Sequence, residues 1–312
     1  MAKVATREAY GKALAELIQK DDKIFVLDAD LTKSTKTSDA QAVKPERHFN
    51  IGIAEGNMMG IAAGIASCGN TVFASSFAMF AAGRAFEQIR NSICYPKLNV
   101  KICGTHAGIT VGEDGASHQS VEDIALMRAI PNMKVFQPCD AVETKQIIEA
   151  VSKIDGPVFV RLGRSGVETI YDENYTFEIG KGHVVSPGKD IAIIATGVLV
   201  QESLQAKELL KEAGLDVTVV NMASIKPIDE ALIIELAKTH KGIVTAEEHN
   251  VYGGLGSAVA EVVVQNHPVP MSIIGLEDTF GESGKPAELL DKYGLSAKRV
   301  AEKVKAFAQK LD

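Results

Sequence analysis

A single glutamate, Glu55, stands between an extended apolar run, Phe49 to Ile53, and a helix of very small residues that reads AEGNMMGIAAGIASCG. Glycine and alanine at this density let neighbouring backbones approach closely, although each glycine weakens a helix. Two interpretations fit a carboxylate in this position. It can complement the dipole at the start of its helix. Semi-buried, and with no obvious cation close in sequence, it can also exchange a proton with a heteroaromatic ring.

A polar loop follows the first strand that the sequence predicts. Residues 23–27 are apolar, and DADLTKSTKT comes directly after them, with the acid Asp30 and the hydroxyl of Ser34. Ligands bind at the carboxyl ends of strands in open α/β sheets. A ligand-binding loop and a merely solvated loop both fit these residues.

A second, longer loop, GTHAGITVGEDGASHQS, carries His106, Asp114 and His118. A polar loop of this length inside a compact domain is usually functional. The two histidines are far apart and no further ligand completes a set, so we expect this chain to hold no metal.

Ahead of this loop, Phe77 and Phe80 are three residues apart and would share a face of a predicted helix. Such a pair usually belongs to a core.

The elements that position these residues alternate between strands and helices, which predicts the α/β class. Helices are expected at 6–20, with Thr6 as the cap, and at 54–69, 121–129 and 141–152, and strands at 23–27, 70–74, 99–103, 133–137 and 157–162. A second βα series occupies the C-terminal part and ends in helices near 286–292 and 297–311. We predict two consecutive three-layer α/β domains, residues 1–165 with a parallel sheet and residues 188–312 with a mainly parallel sheet, joined by a linker at 166–187.

Composition limits the possible partners and locations of the chain. The 312 residues suffice for two domains, and the net charge of −7 gives no surface for nucleic acid or an anionic membrane. The four cysteines are scattered singly, as in a reducing compartment. No apolar run approaches the roughly 20 residues that span a bilayer, and the N-terminus lacks a signal-peptide core. We therefore expect a cytoplasmic protein.

Three stretches, FNIGIAEGN, SSFAMFAAGRAFEQIR and THAGITVGEDGASHQ, together resemble the pyrimidine-binding domain of transketolase, and residues 188–312 resemble the C-terminal domain of that family. The family's N-terminal domain holds the diphosphate of thiamine diphosphate through a metal ion. Its Gly-Asp-Gly signature and paired asparagines do not occur in this sequence. The resemblance thus implies the C-terminal subunit of a split transketolase, which moves a two-carbon glycolaldehyde unit between ketose and aldose phosphates.

The resemblance also implies roles for residues at the cofactor. Glu55 matches the catalytic glutamate, which protonates a pyrimidine ring nitrogen and so favours the imino form that removes the thiazolium proton. Phe77 and Phe80 match aromatics that hold the aminopyrimidine, and Asp30 matches an acid that faces the cofactor. A third aromatic of the family falls at Ala74 here, with Phe73 beside it.

Substrate contacts are implied in the same way. His118 matches a catalytic residue near the reacting carbonyl or hydroxyl, and Asp114 matches one that binds a sugar hydroxyl. The sugar phosphate is expected at Arg7, Ser34 and His106. The family's second phosphate-binding arginine is replaced by Gln137, which lacks the forked, charged contact of arginine.

A split enzyme needs partners. The resemblance implies an N-terminal subunit that carries thiamine diphosphate and Mg²⁺ or a similar ion, in a two-plus-two heterotetramer, with sugar phosphates as substrates. Alternatives are a subunit of a deoxyxylulose-phosphate synthase-like enzyme, the β chain of a 2-oxo acid dehydrogenase, and a non-catalytic regulatory paralogue.

Residues 253–256 could cradle an anion at a helix start. Residues 247–249 are a candidate domain or subunit contact.

Overall fold

Buried apolar strands alternate with helices throughout residues 3–311, the part of the chain that the structure, a computed structural model, describes. The N-terminal elements are β1 (Val4–Ala5), α1 (Thr6–Lys20), β2 (Ile24–Asp28), α2 (Thr32–Thr35), α3 (Ser38–Val43), β3 (His48–Asn50), α4 (Glu55–Ser67), β4 (Thr71–Phe77), α5 (Phe86–Gln88), β5 (Val100–Thr105), α6 (Asp123–Ala129), β6 (Lys134–Phe136), α7 (Ala141–Ser152), β7 (Val158–Arg161) and β8 (Gly166–Val167). Short 3₁₀ turns lie at Pro45–Arg47 and Ile109–Val111, and π-helical turns at Met79–Arg84 and Ile89–Cys94.

The C-terminal elements continue the alternation. They are β9 (His183–Ser186), β10 (Ile191–Ala195), α8 (Leu199–Glu212), β11 (Val217–Asn221), β12 (Ser224–Lys226), α9 (Glu230–Thr239), β13 (Gly242–Asn250), α10 (Leu255–Asn266), β14 (Met271–Leu276), α11 (Pro286–Lys292) and α12 (Ala297–Ala308). The predicted α/β class with two domains and mainly parallel sheets is confirmed.

The first sheet has seven strands in the order β12-β6-β7-β5-β4-β2-β3, and all its pairs are parallel except that of β12 with β6. Successive residues of β4 point to opposite faces: Phe73 belongs to one core cluster, and Val72 and Ala74 belong to another. Helices therefore cover both faces. The carboxyl ends of β2, β4 and β5 lie side by side, with Asp28 opposite Ser75 and Phe77 opposite Thr105.

The second sheet has five strands in the order β14-β13-β10-β11-β9, with only β9 antiparallel. β9 lies within the range predicted as a linker, and β8, in the same range, pairs with β1. β12, which the sequence did not indicate, comes from the C-terminal part of the chain and extends the first sheet by pairing with β6. The two domains are thus joined by strand pairing as well as by packing.

Two local predictions were wrong. Thr6 does not cap α1: the N-cap is Ala5, without a side-chain cap, and the Thr6 hydroxyl instead accepts the backbone N–H of Gly163 at 2.8 Å. Phe77 does not lie on a helix but is the last residue of β4, because the strand continues three residues beyond Ala74 before the chain turns at Ala78.

Candidate functional site

The loops that follow β2, β4 and β5 meet at one edge of the first sheet and gather most of the predicted site residues there. Two groups of residues form there. The acid–aromatic group consists of Glu55, Phe77, Phe80, Arg84 and His118, and the basic group consists of Arg7, Ser34, His106 and Arg164. Parallel strands put their carboxyl ends on one edge, which is why residues distant in sequence meet here.

Glu55 is the first residue of α4, and only 2% of it is exposed. Its Oε2 lies 3.1 Å from Nη1 of Arg84, whose side chain is more than half exposed. The guanidinium of Arg84 also lies over the ring of Phe80, 5.0 Å from its centroid. No cation lies close to Glu55 in the sequence, yet the fold brings one from 29 residues away. In the sequence, the four-residue spacing of Phe80 and Arg84 indicated that this cation would lie near the aromatic residues.

The two predicted aromatics meet despite the error in their secondary structure. The rings of Phe77 and Phe80 are stacked, with centroids 6.0 Å apart. The ring of His118 stands edge-on to both, at 6.1 Å from Phe77 and 5.3 Å from Phe80. Ala74 is buried within β4, so no third ring comes from its position. Arg84 thus links a buried carboxylate to a small aromatic cluster in which Phe77 is buried and Phe80 and His118 are partly exposed.

The basic group is centred on Arg7, whose Nη1 donates to the backbone carbonyl of Ser34 at 2.7 Å and lies 3.4 Å from Nε2 of His106. Because arginine can only donate, Nε2 is the acceptor and the ring proton sits on Nδ1, 3.0 Å from Oγ1 of Thr105. Burial, assisted by the charges of Arg7 and Arg164, lowers the pKa of His106 to about 3. The imidazole is therefore neutral at neutral pH. Burial also lowers the pKa of Arg7.

The loop after β2 is held by a buried acid that sequence reasoning missed, Asp28. Its carboxylate accepts from the hydroxyls of Thr32 and Thr37 at 2.9 and 2.6 Å and from Nε2 of His48 at 2.7 Å. This network fixes the backbone that presents Asp30 and Ser34. Asp30 itself is exposed, with a φ of 65°, and its N–H donates to the side chain of Asn50. Ser34 contributes its carbonyl oxygen to Arg7.

Arg164 was also missed, and it supplies a second positive charge beside Arg7. The backbone N–H of Arg7 donates to the carbonyl of Gly163, the residue before Arg164, at 3.4 Å, and the charge of Arg164 contributes to the lowered pKa values of Arg7 and His106. The guanidinium donates to the carbonyl of Val111 and lies 3.3 Å from Oε2 of Glu113. The sequence offered one indication of Arg164: it is a cation three residues beyond the end of β7, at the same edge of the sheet.

Gln137 lies at the domain boundary and not in the basic group. Its N–H donates to the carbonyl of Ala223 at 2.9 Å, and its side chain fills the space beside Gly197, where an added Cβ would collide with Nε2 of the glutamine. Gln137 does line a small cavity together with Thr6 and Ala107, the sequence neighbours of Arg7 and His106. Asp114 is exposed near the tip of the long loop, between Gly112 and Gly115, both with positive φ.

The two C-terminal motifs have structural partners. The N–H groups of Leu255 and Gly256 at the start of α10 donate to the carboxylate of Glu247 at 2.7 and 2.8 Å. The predicted anion cradle at residues 253–256 is therefore filled by a side chain of the protein itself. The predicted contact at residues 247–249 is confirmed as a domain contact: Glu248 accepts from Thr110, and His249 accepts from Ala125, both in the N-terminal domain.

Within residues 3–311, no cluster of three or more histidine, cysteine or acidic side chains has the arrangement of a metal site, and no helix is both long and apolar enough to cross a membrane. All four cysteines are free. Three of them are buried, and Cys68 is exposed.

Comparison with known families matches both halves of the chain. The family described as "Transketolase, pyrimidine binding domain" matches residues 2–169, and "Transketolase, C-terminal domain" matches residues 180–300. These matches fit the edge of the first sheet described above, because both predicted site groups fall inside the first matched region.

Individual proteins are similar over nearly the whole chain. A protein of Methanocaldococcus jannaschii, provisionally named a transketolase C-terminal section, is 54% identical over 96% of this chain and 94% of its own length. Human transketolase is 38% identical over 99% of this chain but only 50% of its own length. A solved structure described as "Split gene transketolase, inactive beta4 tetramer" is 54% identical, with a TM-score of 0.89 over 99% of this chain and 98% of that one.

Proposed function

The chain belongs to the transketolase family and corresponds to its C-terminal section, and from this premise we propose that it is one half of a split, thiamine-diphosphate-dependent transketolase. In this proposal it transfers a two-carbon glycolaldehyde unit from a ketose phosphate to an aldose phosphate. The chain spans about half the length of human transketolase. In this proposal the remaining half of the site is supplied by another polypeptide.

The observation that carries the proposal is the pairing of a buried carboxylate with a partly open aromatic surface. An aminopyrimidine needs apolar ring contacts and an acid at a ring nitrogen, and the acid–aromatic group offers both through Phe77, Phe80 and Glu55. When bound, thiamine diphosphate supplies the nucleophilic carbon that takes up the two-carbon unit. Glu55 holds the proton at the pyrimidine nitrogen, and the adjacent Arg84 supplies a counter-charge to its carboxylate.

The substrate end is assigned to the basic group. Arg7 and Arg164 provide two guanidinium groups for the sugar phosphate, and charge-assisted, forked contacts of this kind are strong. His106 is neutral, so it orients Arg7 through Nε2 instead of adding a third charge. His118 stands against both phenylalanine rings, which suits contact with the reacting carbonyl or hydroxyl. Asp114, at the exposed loop, is proposed to bind a sugar hydroxyl.

The partner in this proposal is an N-terminal transketolase subunit that holds the diphosphate and its Mg²⁺ or similar ion. The 54% identical protein of known structure supports this dependence, because it is a split-gene transketolase whose beta4 tetramer is inactive. For the present chain we propose a two-plus-two heterotetramer. Gly60 and Gly64 on α4 are exposed, with open space at both Cβ positions, which suits close approach of another chain.

The names of similar proteins favour the transketolase reaction over the reactions of related thiamine-dependent enzymes. The M. jannaschii and human proteins both carry transketolase names at 54% and 38% identity. The retention of Glu55, His106 and His118 in one assembled site favours an active subunit over a regulatory paralogue.

The decisive experiment mixes purified chains. The chain is assayed for ketol transfer with thiamine diphosphate and Mg²⁺, first alone and then with a candidate N-terminal subunit. We expect no transfer by the chain alone and transfer in the mixture, together with binding of the cofactor followed spectroscopically. Full activity of the isolated chain would contradict the split-enzyme proposal, and so would a mixture that binds cofactor but transfers nothing.

A further inference from the structure

The long loop that carries His106 and His118 is closed at its base by its own backbone. The N–H of Gly108 donates to the carbonyl of Ser120 at 2.8 Å, and Ala107 forms an isolated bridge with Ser120. His106 has a φ of 56°, a conformation that a side-chain-bearing residue keeps only where its surroundings impose it. Contacts that fix the base of this loop therefore also fix the position of the His106 imidazole, which contacts Arg7.

The C-terminal domain reaches this base with one carboxylate. Oε1 of Glu248, on β13, accepts the N–H of Thr110 at 2.5 Å, and Glu248 is 3% exposed. Gly108 has a φ of 82°, and a Cβ added to it would collide with the carboxylate of Glu248. The carboxylate is thus pressed against the backbone two residues after His106, an approach that only glycine permits.

A buried cation binds the backbone of the residue that carries this carboxylate and the backbone at the end of the loop. Arg161 is fully enclosed; its Nη2 donates to the carbonyls of both Ser120 and Glu248, and its Nε donates to Asp123 at 2.7 Å. One guanidinium therefore ties the end of the loop to the strand that carries Glu248. The adjoining cavity of about 20 Å³, lined by Arg161, Glu248 and Gln137, has room for one water molecule.

We propose that Glu248 is a positioning residue of the substrate site, through which the C-terminal domain sets the place of His106 and hence of Arg7. The inference rests on the proposed function only for its effect on sugar phosphates; the effect on the loop is independent of it. Glu248 does not reach the reacting atoms. It acts through the backbone of residues 108–110, and its effect is expected on substrate affinity and not on the chemical step.

Hydrogen–deuterium exchange of the full chain tests the structural part. Glu248→Ala should speed exchange of a peptide covering residues 104–120, because its anchor is lost. Glu248→Gln should restore most of the protection, since its amide oxygen can still accept from Thr110. If Glu248→Ala does not fold, Glu248→Asp, which withdraws the carboxylate by one methylene, should show the same faster exchange. Unchanged exchange of this peptide in a folded Ala or Asp variant would overturn the proposal.

Glu247→Ala is the matched control. Glu247 is the neighbouring buried carboxylate on β13, but it caps α10 and not the loop. This variant should lower thermal stability and speed exchange at the start of α10, while the peptide 104–120 keeps its protection. Equal loosening of the loop by both variants would mean a general structural effect and would overturn a specific role for Glu248.

Kinetics in the complex with the partner subunit tests the functional part. Glu248→Ala should raise KM for a phosphorylated ketose about tenfold, the usual scale for losing a hydrogen bond, and leave kcat within about twofold. Glu248→Gln should lie close to the wild type, and Glu247→Ala should leave KM unchanged. A fall in kcat with KM unchanged would overturn the proposal. A wild-type complex without ketol transfer would count against the proposed function alone, because the exchange experiment still decides the role of Glu248.

Discussion

The imidazole of His106 stacks on the ring of Phe77, with centroids 3.8 Å apart and 27° between the planes. This contact joins the acid–aromatic group to the basic group, since Phe77 also contacts Phe80 and His106 also contacts Arg7. The spacing between the proposed cofactor site and the cations proposed to bind the sugar phosphate is therefore set by the packed rings of Phe77 and His106.

The neutral state of His106 predicts a distinctive pH dependence. An exposed imidazole titrates near 6.5, whereas His106, with its pKa lowered to about 3, should not change charge in the neutral range. Its ring signals in nuclear magnetic resonance spectra should stay constant between about pH 5 and pH 8. A midpoint near neutrality would contradict a neutral His106.

The same shift predicts an effect on stability. The unfolded chain binds a proton near pH 6.5 that the folded chain does not accept until about pH 3. Stability from this group is therefore present above the higher value and is lost as the pH falls toward the lower one. His106→Gln should flatten the acid side of a denaturant-derived stability curve. An unaltered slope between about pH 4 and pH 6 would contradict the assignment.

Glu55→Gln should keep the fold and lose about two to four orders of magnitude in turnover of the mixed complex, the usual size of general acid–base catalysis. The amide preserves the shape of the side chain but cannot transfer the proton. Glu230→Gln is a matched control. Glu230 is the first residue of α9, as Glu55 is the first residue of α4, but it is exposed and lies in the C-terminal domain. Near-normal turnover of Glu55→Gln with cofactor bound would reject the proton transfer role.

The two arginines of the basic group should share the phosphate. Arg7→Ala and Arg164→Ala should each weaken binding of phosphorylated sugars by about 1.5–3 kcal/mol and affect unphosphorylated ketoses little, as expected for charged hydrogen bonds. Comparing KM for a matched pair of sugars with and without the phosphate measures this. Arg299→Ala, at an exposed ion pair on α12, is the control. Equal losses on both sugars would assign Arg7 or Arg164 to folding or assembly.

Local sequence signals predicted most of the elements, and the resemblance to transketolase named most of the residues that meet at the edge of the first sheet. The ends of α7 and α11 were predicted closely, because Asp140 caps α7 with its side chain and Pro286 begins α11. The edge of the first sheet was predictable because polar loops follow apolar strands. Contacts between residues far apart in the sequence could not be predicted in this way. Arg84 meets Glu55, and β12 pairs with β6, through tertiary packing that no local sequence pattern encodes.

The placement of Gln137 changes what an arginine at this position should do. Arginine stands here in the family pattern that the sequence resembles, and tighter phosphate binding would follow if the side chain reached the basic group. In the structure the glutamine is buried, packed against Gly197, and borders a cavity with room for only one water molecule.

A longer, charged side chain would therefore have to enter a closed domain boundary beside the buried guanidinium of Arg161, where burying a second positive charge is costly. Gln137→Arg should lower the melting temperature, since overpacking alone costs about 1–3 kcal/mol, and should leave phosphate affinity unimproved. Gln137→Met, close in volume and uncharged, is the control and should remain near the wild-type melting temperature. Both variants are compared by thermal unfolding and by KM for a phosphorylated ketose. A stable Gln137→Arg variant with a lower KM would show that the side chain at this position reaches the sugar phosphate through a rearranged domain boundary.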